Sequence, residues 1–126
     1  MHRCALIAAT LVVCASAAVA QAPRNFPATA LRGEIVVTAP PELLLNRQPA
    51  RLAPGARIRA MDNMLVMSGA AVNQRMLVNY TLDLQGQLLD VWILNPAELA
   101  RRPWPSTPQE AATWRFNADL QTWSRP

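Results

Sequence analysis

Apolar and polar residues alternate most regularly over residues 75–94, on either side of Gln85-Gly86. This alternation predicts two antiparallel strands joined by a turn at that dipeptide. A register with Tyr80 opposite Val91 collects the apolar side chains on one face: Met76, Val78, Tyr80, Leu82, Leu89, Val91 and Ile93. The opposite face then carries Asn79, Thr81, Asp83, Asp90 and Trp92, together with Leu77 and Leu88. A shift by one residue moves Asp90 onto the apolar face, and burial of an unpaired carboxylate costs several kcal/mol, so the first register is favoured.

Shorter strands are predicted before this hairpin. Residues 34–38 are rich in β-branched side chains, and Pro40-Pro41 ends that strand because proline donates no backbone hydrogen bond. Asn46-Arg47 separates the apolar run 43–45 from residues 48–52. Because asparagine tolerates left-handed backbone, this dipeptide predicts a tight hairpin turn.

Further along, Pro54-Gly55 predicts another turn. Residues 56–60 then alternate strictly, which places Arg57 and Arg59 on an outward face. Asp62-Asn63 predicts one more turn, and a last short strand is expected over residues 64–68.

Two short helices are predicted near the C-terminus. Asn95-Pro96-Ala97-Glu98 and Thr107-Pro108-Gln109-Glu110 each combine a capping side chain, proline at the first helical position and glutamate at the third. The pattern after the second start is ambiguous. A helical face is shared by Ala112, Phe116, Leu120 and Trp123, whereas 114–116 and 121–123 would also suit two very short strands. We expect one or two helical turns and then irregular or hairpin structure.

These elements predict a mainly β protein: a small barrel or sandwich of about six or seven short antiparallel strands, with one or two short C-terminal helices. A barrel of the OB or SH3-like kind is the first choice. We expect a flexible lead-in over residues 21–32 and a β domain over residues 33–94. Residues 95–126 form a Pro- and Trp-rich segment that packs on the β domain.

The first 20 residues have the organisation of a secretory signal peptide. A short positive start at Arg3 precedes an apolar run, which ends in Ala18-Val19-Ala20 before Gln21. Two alternatives are a membrane helix that is retained and a lipoprotein cut before Cys14. The apolar run is shorter than the roughly 20 residues that a span needs, and Val13 is larger than the residue that lipoprotein processing prefers. We therefore expect a periplasmic or secreted protein with no transmembrane segment in the mature chain.

Composition then removes most enzyme chemistry. All 12 basic residues are arginine, and the His and both Cys residues lie within the first 20 residues. A mature chain without His, Cys and Lys has no imidazole base, no thiolate, no Schiff-base lysine, no disulfide and no His/Cys zinc site. The glycines are isolated, so no phosphate-binding loop is present either. We therefore expect no enzyme, and we assign no catalytic, cofactor-binding or metal-ligating residue.

Two alternative functions remain open. A carboxylate-based hydrolase of cell-wall glycan would use Asp83, Asp90 or Glu98, the first two lying diagonally across the predicted hairpin. A periplasmic copper binder would use the thioethers of Met61, Met64 and Met67. If residues 64–68 form a strand, however, methionines three positions apart point to opposite faces, and core filling by methionine is the simpler explanation.

The candidate partner-binding residues are arginines and tryptophans. Four arginines between residues 47 and 59 have no acidic residue among them, and arginine binds phosphate and carboxylate groups through two parallel hydrogen bonds. Trp92, on the polar face of the hairpin, and Trp104, between two prolines, are the tryptophans expected to be exposed. For Trp114 and Trp123 we expect a tail that folds back and plugs an open end of the barrel. The full set of candidates is Arg47, Arg51, Arg57, Arg59, Trp92 and Trp104.

The sequence thus favours a non-enzymatic exported protein of the bacterial envelope with a binding or structural role. Its expected partner is an envelope protein or an anionic envelope polymer. Nucleic acid is not expected, because no aromatic residue is interleaved with the arginines as in a base-stacking platform. The alternative for the arginines is a solvated edge strand that their charge protects from aggregation.

Overall fold

A computed structural model of the protein describes residues 23–126, and the expected signal peptide lies outside these residues. The strands are β1 (Leu31–Ala39), β2 (Glu42–Leu45), β3 (Gln48–Arg59), β4 (Leu65–Val66), β5 (Arg75–Leu82), β6 (Leu88–Ile93), β7 (Arg115–Asn117) and β8 (Thr122–Ser124). The helices are α1 (Pro96–Leu99) and α2 (Pro108–Thr113), with a 3-10 turn at Ser68–Ala71. The mainly β class with short C-terminal helices is therefore confirmed. None of the helices in this part of the chain is long and apolar enough to cross a membrane.

Five strands pair in a ring. β1 pairs with β2 and with β5, β2 pairs with β3, β5 pairs with β6, and β3 returns to β6. The β3–β6 register is interrupted between Leu52 and Arg57, and the sheet does not close into a regular barrel. Five strands in a partly open ring are compatible with the predicted small barrel or sandwich. The expectation of antiparallel strands throughout is wrong at one place, since β3 and β6 are parallel.

The hairpin of β5 and β6 has the predicted register in the half that lies away from the turn. Tyr80 lies opposite Val91 and Val78 opposite Ile93, but an irregularity after Tyr80 places Leu82 opposite Leu88. The consequence is that Leu88 is fully buried whereas Leu82 is exposed. The predicted turn at Gln85-Gly86 is present, with Gly86 at a φ of 76°.

Two of the other predicted turns have different outcomes. Asn46 and Arg47 have φ values of 50° and 67°, the left-handed pair that a tight hairpin requires, so the predicted β2–β3 hairpin is confirmed. The turn predicted at Pro54-Gly55 is wrong, because β3 continues through it. Gly55 has a φ of 78° there, and the interruption of the β3–β6 register spans the same place. A bulge accommodates both the left-handed glycine and a proline without a donor.

Two apolar cores stabilise this arrangement. The first fills the ring with buried side chains that include Ile35, Leu43, Val78 and Val91. The second contains Phe26, Ala30, Leu94, Trp104 and Trp123. Trp92 packs against the second core and alternates along β6 with Val91, so the second core lies on the outer face of the sheet.

Part of the expected lead-in, at Arg24, Phe26 and Ala30, packs against the rest of the chain. Phe26 is 3% exposed, and β1 already begins at Leu31. The side chain of Gln121 accepts a hydrogen bond from the Phe26 amide at 2.7 Å and donates one to the Phe26 carbonyl at 3.3 Å. These hydrogen bonds hold the N-terminal segment against the C-terminal tail. Trp104 and Trp123 of that tail are among the apolar side chains that pack with Phe26.

Both predicted helix caps are present. Asn95 and Glu98 form a reciprocal capping box at α1, and the Thr107 side chain accepts from the Glu110 amide at α2. After α2 the tail forms the two very short strands β7 and β8, one of the two forms that the pattern allows. Trp123 lies in the second core, and Ala111 packs against both cores, so the tail contacts the interior core as well as the second core.

Candidate functional site

The ends of β3 and β6 border a cleft of about 630 Å³, which we call the β3–β6 cleft. Its walls come from three places: the N-terminal segment, the end of β3 with the loop that follows, and β6. The lining residues are Pro23, Arg24, Asn25, Arg57, Arg59, Met61, Asp62, Asn63, Asp90 and Trp92. Three of the predicted partner-binding residues, Arg57, Arg59 and Trp92, thus meet in one place.

The parallel register of β3 and β6 places these side chains together. Arg57 lies beside Asp90, and Arg59 lies beside Trp92. Because both strands alternate, these four side chains leave the sheet on the face opposite to the buried Ile58 and Val91. The strict alternation read from residues 56–60 is what sends Arg57 and Arg59 outward.

The two arginines differ in their electrostatic state. Nε of Arg57 donates to Oδ1 of Asp90 at 3.2 Å, and the Arg57 side chain is 55% exposed. Arg59 is half-buried, and within residues 23–126 it has no ion-pair partner. Arg59 therefore has its hydrogen-bond donors available for a ligand, whereas Arg57 already has a counterion.

Arg24 lines the cleft, and hydrogen bonds hold its guanidinium in place. Its Nε donates to Glu98 at 2.8 Å, its Nη1 to the Ala60 carbonyl at 2.8 Å, and its Nη2 to the Ile93 carbonyl at 2.7 Å. A second hydrogen bond from Nη2 to the Glu98 carboxylate completes a two-pronged ion pair. The guanidinium thus fastens α1 and the end of β6 to the end of β3.

Glu98 is buried as the anion of this pair. Burial alone would raise the pKa of Glu98, but hydrogen bonds from Arg24 and from the Asn95 amide, with the charges of Arg24 and Arg101, hold that pKa below its ordinary value. Glu98 is therefore a structural carboxylate, and it is not poised to donate a proton near neutral pH.

Trp92 forms the apolar part of the cleft. It is half-buried, and the edge contact with Phe26, at 5.4 Å between ring centroids, anchors the indole against the second core. Asp62 accepts a hydrogen bond from the Met64 amide at 3.0 Å, and Asn63 has a φ of 68°, so this turn is locally well defined. The cleft combines one indole surface with charged and amide side chains, a lining that suits a polar ring-shaped ligand with an acidic group.

The remaining candidates lie elsewhere. Arg51 forms an exposed ion pair with Glu42 at 2.8 Å, and Arg47 lies in the β2–β3 turn beside Glu34. Trp104 is only 7% exposed, so its expected exposure is wrong. Its Nε1 donates to the Ala30 carbonyl at 3.0 Å, and its ring packs edge-on against Phe26. The indole therefore belongs to the second core.

The residues of the hydrolase hypothesis are dispersed. Asp83 accepts hydrogen bonds from the amides of Gln85 and Gln87, which fixes the β5–β6 turn. Asp90 pairs with Arg57, and Glu98 pairs with Arg24. Each of the three carboxylates therefore has its own structural partner, and the three do not form a common site.

The methionines of the copper hypothesis lie on the loop from β3 to the 3-10 turn. Met61, Met64 and Met67 are 46%, 66% and 80% exposed. Because these side chains are exposed, the core-filling explanation is wrong for all three. The strand predicted over residues 64–68 is reduced to Leu65–Val66. Met61 instead forms part of the cleft wall.

Sequence reasoning missed Arg24, Asp62 and Asn63 as members of the site. Arg24 lies in a prolyl stretch without periodicity, so no pattern in the sequence marks it as a site residue. Comparison of the chain with family models, with curated proteins and with solved structures found no match.

Proposed function

We propose that this protein is a non-enzymatic binding module of the bacterial envelope, and that its β3–β6 cleft binds an anionic envelope polymer. The observation that carries the proposal is the side-by-side placement of Arg59, which has no ion-pair partner among the described residues, and the half-buried Trp92.

The chemistry of the cleft favours an acidic sugar chain as the polymer. Arg59 would donate two parallel hydrogen bonds to a carboxylate or phosphate group. The Trp92 indole would pack against the apolar face of a sugar ring. Asp62 and Asn63 offer acceptors and donors for hydroxyl groups, which explains why a cleft for an anion also contains carboxylates.

The proposal that the protein is not an enzyme rests on the composition of the mature chain. No His, Cys or Lys follows residue 20, so the common nucleophiles and bases of hydrolytic enzymes are missing. The ion pair of Asp90 with Arg57 gives this aspartate a positioning role at the cleft wall. We infer binding without turnover.

The test is retention of the chain of residues 21–126 on isolated cell wall and on lipopolysaccharide. Replacing Arg57→Gln together with Arg59→Gln should abolish retention at low salt, because it removes both cations of the strand end. The matched control, Arg47→Gln with Arg51→Gln, changes the net charge equally, in the β2–β3 turn and the first half of β3, and should bind like the wild type.

Salt and ligand charge sharpen this test. Wild-type binding should weaken as salt rises, since exposed charges are largely screened beyond about 10 Å at 0.1 M ionic strength. Soluble polygalacturonate should compete for binding, whereas its neutral methyl ester should not. Equal retention of the two double variants, or equal competition by the neutral ester, would refute the proposal.

A further inference from the structure

A second cleft, of about 580 Å³, lies where the C-terminal segment meets the start of β1. Three arginines line it: Arg32 from β1, Arg102 after α1, and Arg125 after β8. The indoles of Trp104 and Trp114 form its apolar walls. None of these residues belongs to the β3–β6 cleft.

The cations of this second cleft lack counterions. Within the described part of the chain, none of the three guanidinium groups is within ion-pair distance of a carboxylate. The single carboxylate in the lining, Glu110, accepts hydrogen bonds from Ser106 at 2.9 Å and from Thr107 at 3.4 Å instead. With three arginines and one glutamate in its lining, the cleft carries a net positive charge.

The arrangement of two of these arginines is fixed by stacking. The Arg32 guanidinium lies 4.9 Å from the Trp104 ring centroid, and the Arg125 guanidinium lies 5.3 Å from that of Trp114. Arg32 is also held by hydrogen bonds to the carbonyls of Arg101 and Glu98, at 2.7 and 3.1 Å. These contacts orient the groups before any ligand arrives, which reduces the entropy that binding must overcome.

The crowding of positive charge has an energetic consequence. Burial, and then the neighbouring charges of Arg101 and Arg102, lower the pKa of Arg32 to about 10, against a smaller opposing effect of Glu98. Arg32 stays protonated at neutral pH, so it remains a half-buried cation surrounded by like charges. A bound anion would relieve this repulsion.

We propose that the cleft between Arg32, Arg102 and Arg125 is a second binding site, and that it takes a phosphate group. Phosphate suits three cations better than a carboxylate does, because a phosphate monoester carries about −1.5 to −2 charges at pH 7 and offers three strong acceptor oxygens. The side chains of Arg102 and Arg125 are exposed and donate no hydrogen bond to the described residues, so their N–H groups are available to the ligand.

The test measures phosphate binding by calorimetry and by thermal unfolding, at constant ionic strength set with chloride. The chain of residues 21–126 is titrated with inorganic phosphate, glycerol phosphate and acetate. Both phosphates should raise the midpoint of thermal unfolding progressively with concentration, because a ligand that binds the folded state alone stabilises it. Acetate should bind at least about tenfold more weakly, since it lacks the second charge and the third oxygen.

Variants then locate the site. Arg102→Gln with Arg125→Gln should lose phosphate binding, and Arg102→Gln alone should weaken it, while both exposed replacements leave the fold intact. The control Arg47→Gln with Arg51→Gln should bind phosphate as the wild type does. Tighter binding of glycerol phosphate than of inorganic phosphate would support a phosphate carried on a larger molecule, and the reverse would support the free ion. Equal stabilisation by acetate, loss of binding in the control variant, or no binding at all would overturn the proposal.

Discussion

Replacing Arg24 with alanine should destabilise the protein by about 3–5 kcal/mol, because it leaves a buried carboxylate without its counterion. The side chain of Glu98 is only 3% exposed, and its partner Arg24 is 10% exposed. The same replacement also leaves the carbonyls of Ala60 and Ile93 without their side-chain donor. A loss of this size is a large part of the 5–15 kcal/mol by which a domain is usually stable.

The assay is urea unfolding of the chain of residues 21–126, followed by tryptophan fluorescence. Arg51→Ala is the matched control, since it breaks an ion pair whose side chains are 53% and 54% exposed. An exposed pair contributes about 0–1 kcal/mol, so the control should shift the urea midpoint little. Arg24→Lys keeps the charge but loses the forked geometry, and its stability should lie between those of the wild type and Arg24→Ala.

Acidification gives a second signature. In the wild type the pKa of Glu98 is lower in the folded protein than its ordinary value, so this stabilisation is present above about pH 4.3 and is lost as pH falls through the folded pKa. Without Arg24, burial should raise the pKa of Glu98, and the penalty should disappear when the carboxyl takes up a proton. The deficit of Arg24→Ala should therefore shrink between pH 7 and about pH 4. A deficit below about 1 kcal/mol, or one that does not change with pH, would refute this reasoning.

Three further outcomes are expected. Val91→Asp should cost several kcal/mol, since Val91 is fully buried, whereas Asp90→Val should cost no more than about 1 kcal/mol; comparable shifts in urea midpoint would contradict the register. Gly33→Ala should cost about 1–3 kcal/mol. The reason is that its Cβ would lie 3.1 Å from side-chain atoms of three neighbours, and an unchanged urea midpoint would show that these atoms can move. Mass spectrometry of the protein from cell extract should find processing between Ala20 and Gln21, and an intact N-terminus would count against export.

Elements set by neighbouring residues were predictable from the sequence. The β2–β3 turn follows from Asn46-Arg47, and the outer register of the β5–β6 hairpin follows from keeping Asp90 off the apolar face. Both helix caps follow from residues three positions apart. In each case the deciding interaction lies within a few residues, where pattern and turn chemistry act together.

Contacts between distant segments were not predictable in this way. The parallel pairing of β3 with β6 joins strands separated by β4 and β5, and no local pattern specifies it. The same limit applies to Pro54-Gly55, because proline and glycine suit a bulge within a strand as well as a turn. Trp104 was expected to be exposed because its flanking prolines say nothing about the aromatic partners that bury it.

The candidate site shows the same division. Arg57, Arg59 and Trp92 could be selected from the sequence as outward side chains of the right chemistry. Their position in one cleft depends on the β3–β6 register. The place of Arg24 in that cleft depends on its ion pair with Glu98, which is distant in the sequence. The four arginines that are close in sequence are therefore separated in the fold, since Arg47 lies in the β2–β3 turn and Arg51 lies in the first half of β3.

The most direct measurement of the central claim uses the four tryptophan indoles as reporters. In a proton–nitrogen correlation spectrum, titration with polygalacturonate fragments should shift the indole signal of Trp92, while the buried Trp104 and Trp123 stay in place. The Trp92 shift should disappear in Arg59→Gln. An unmoved Trp92 signal, or a shift confined to Trp114 in the second cleft, would contradict binding of the anionic polymer at the β3–β6 cleft.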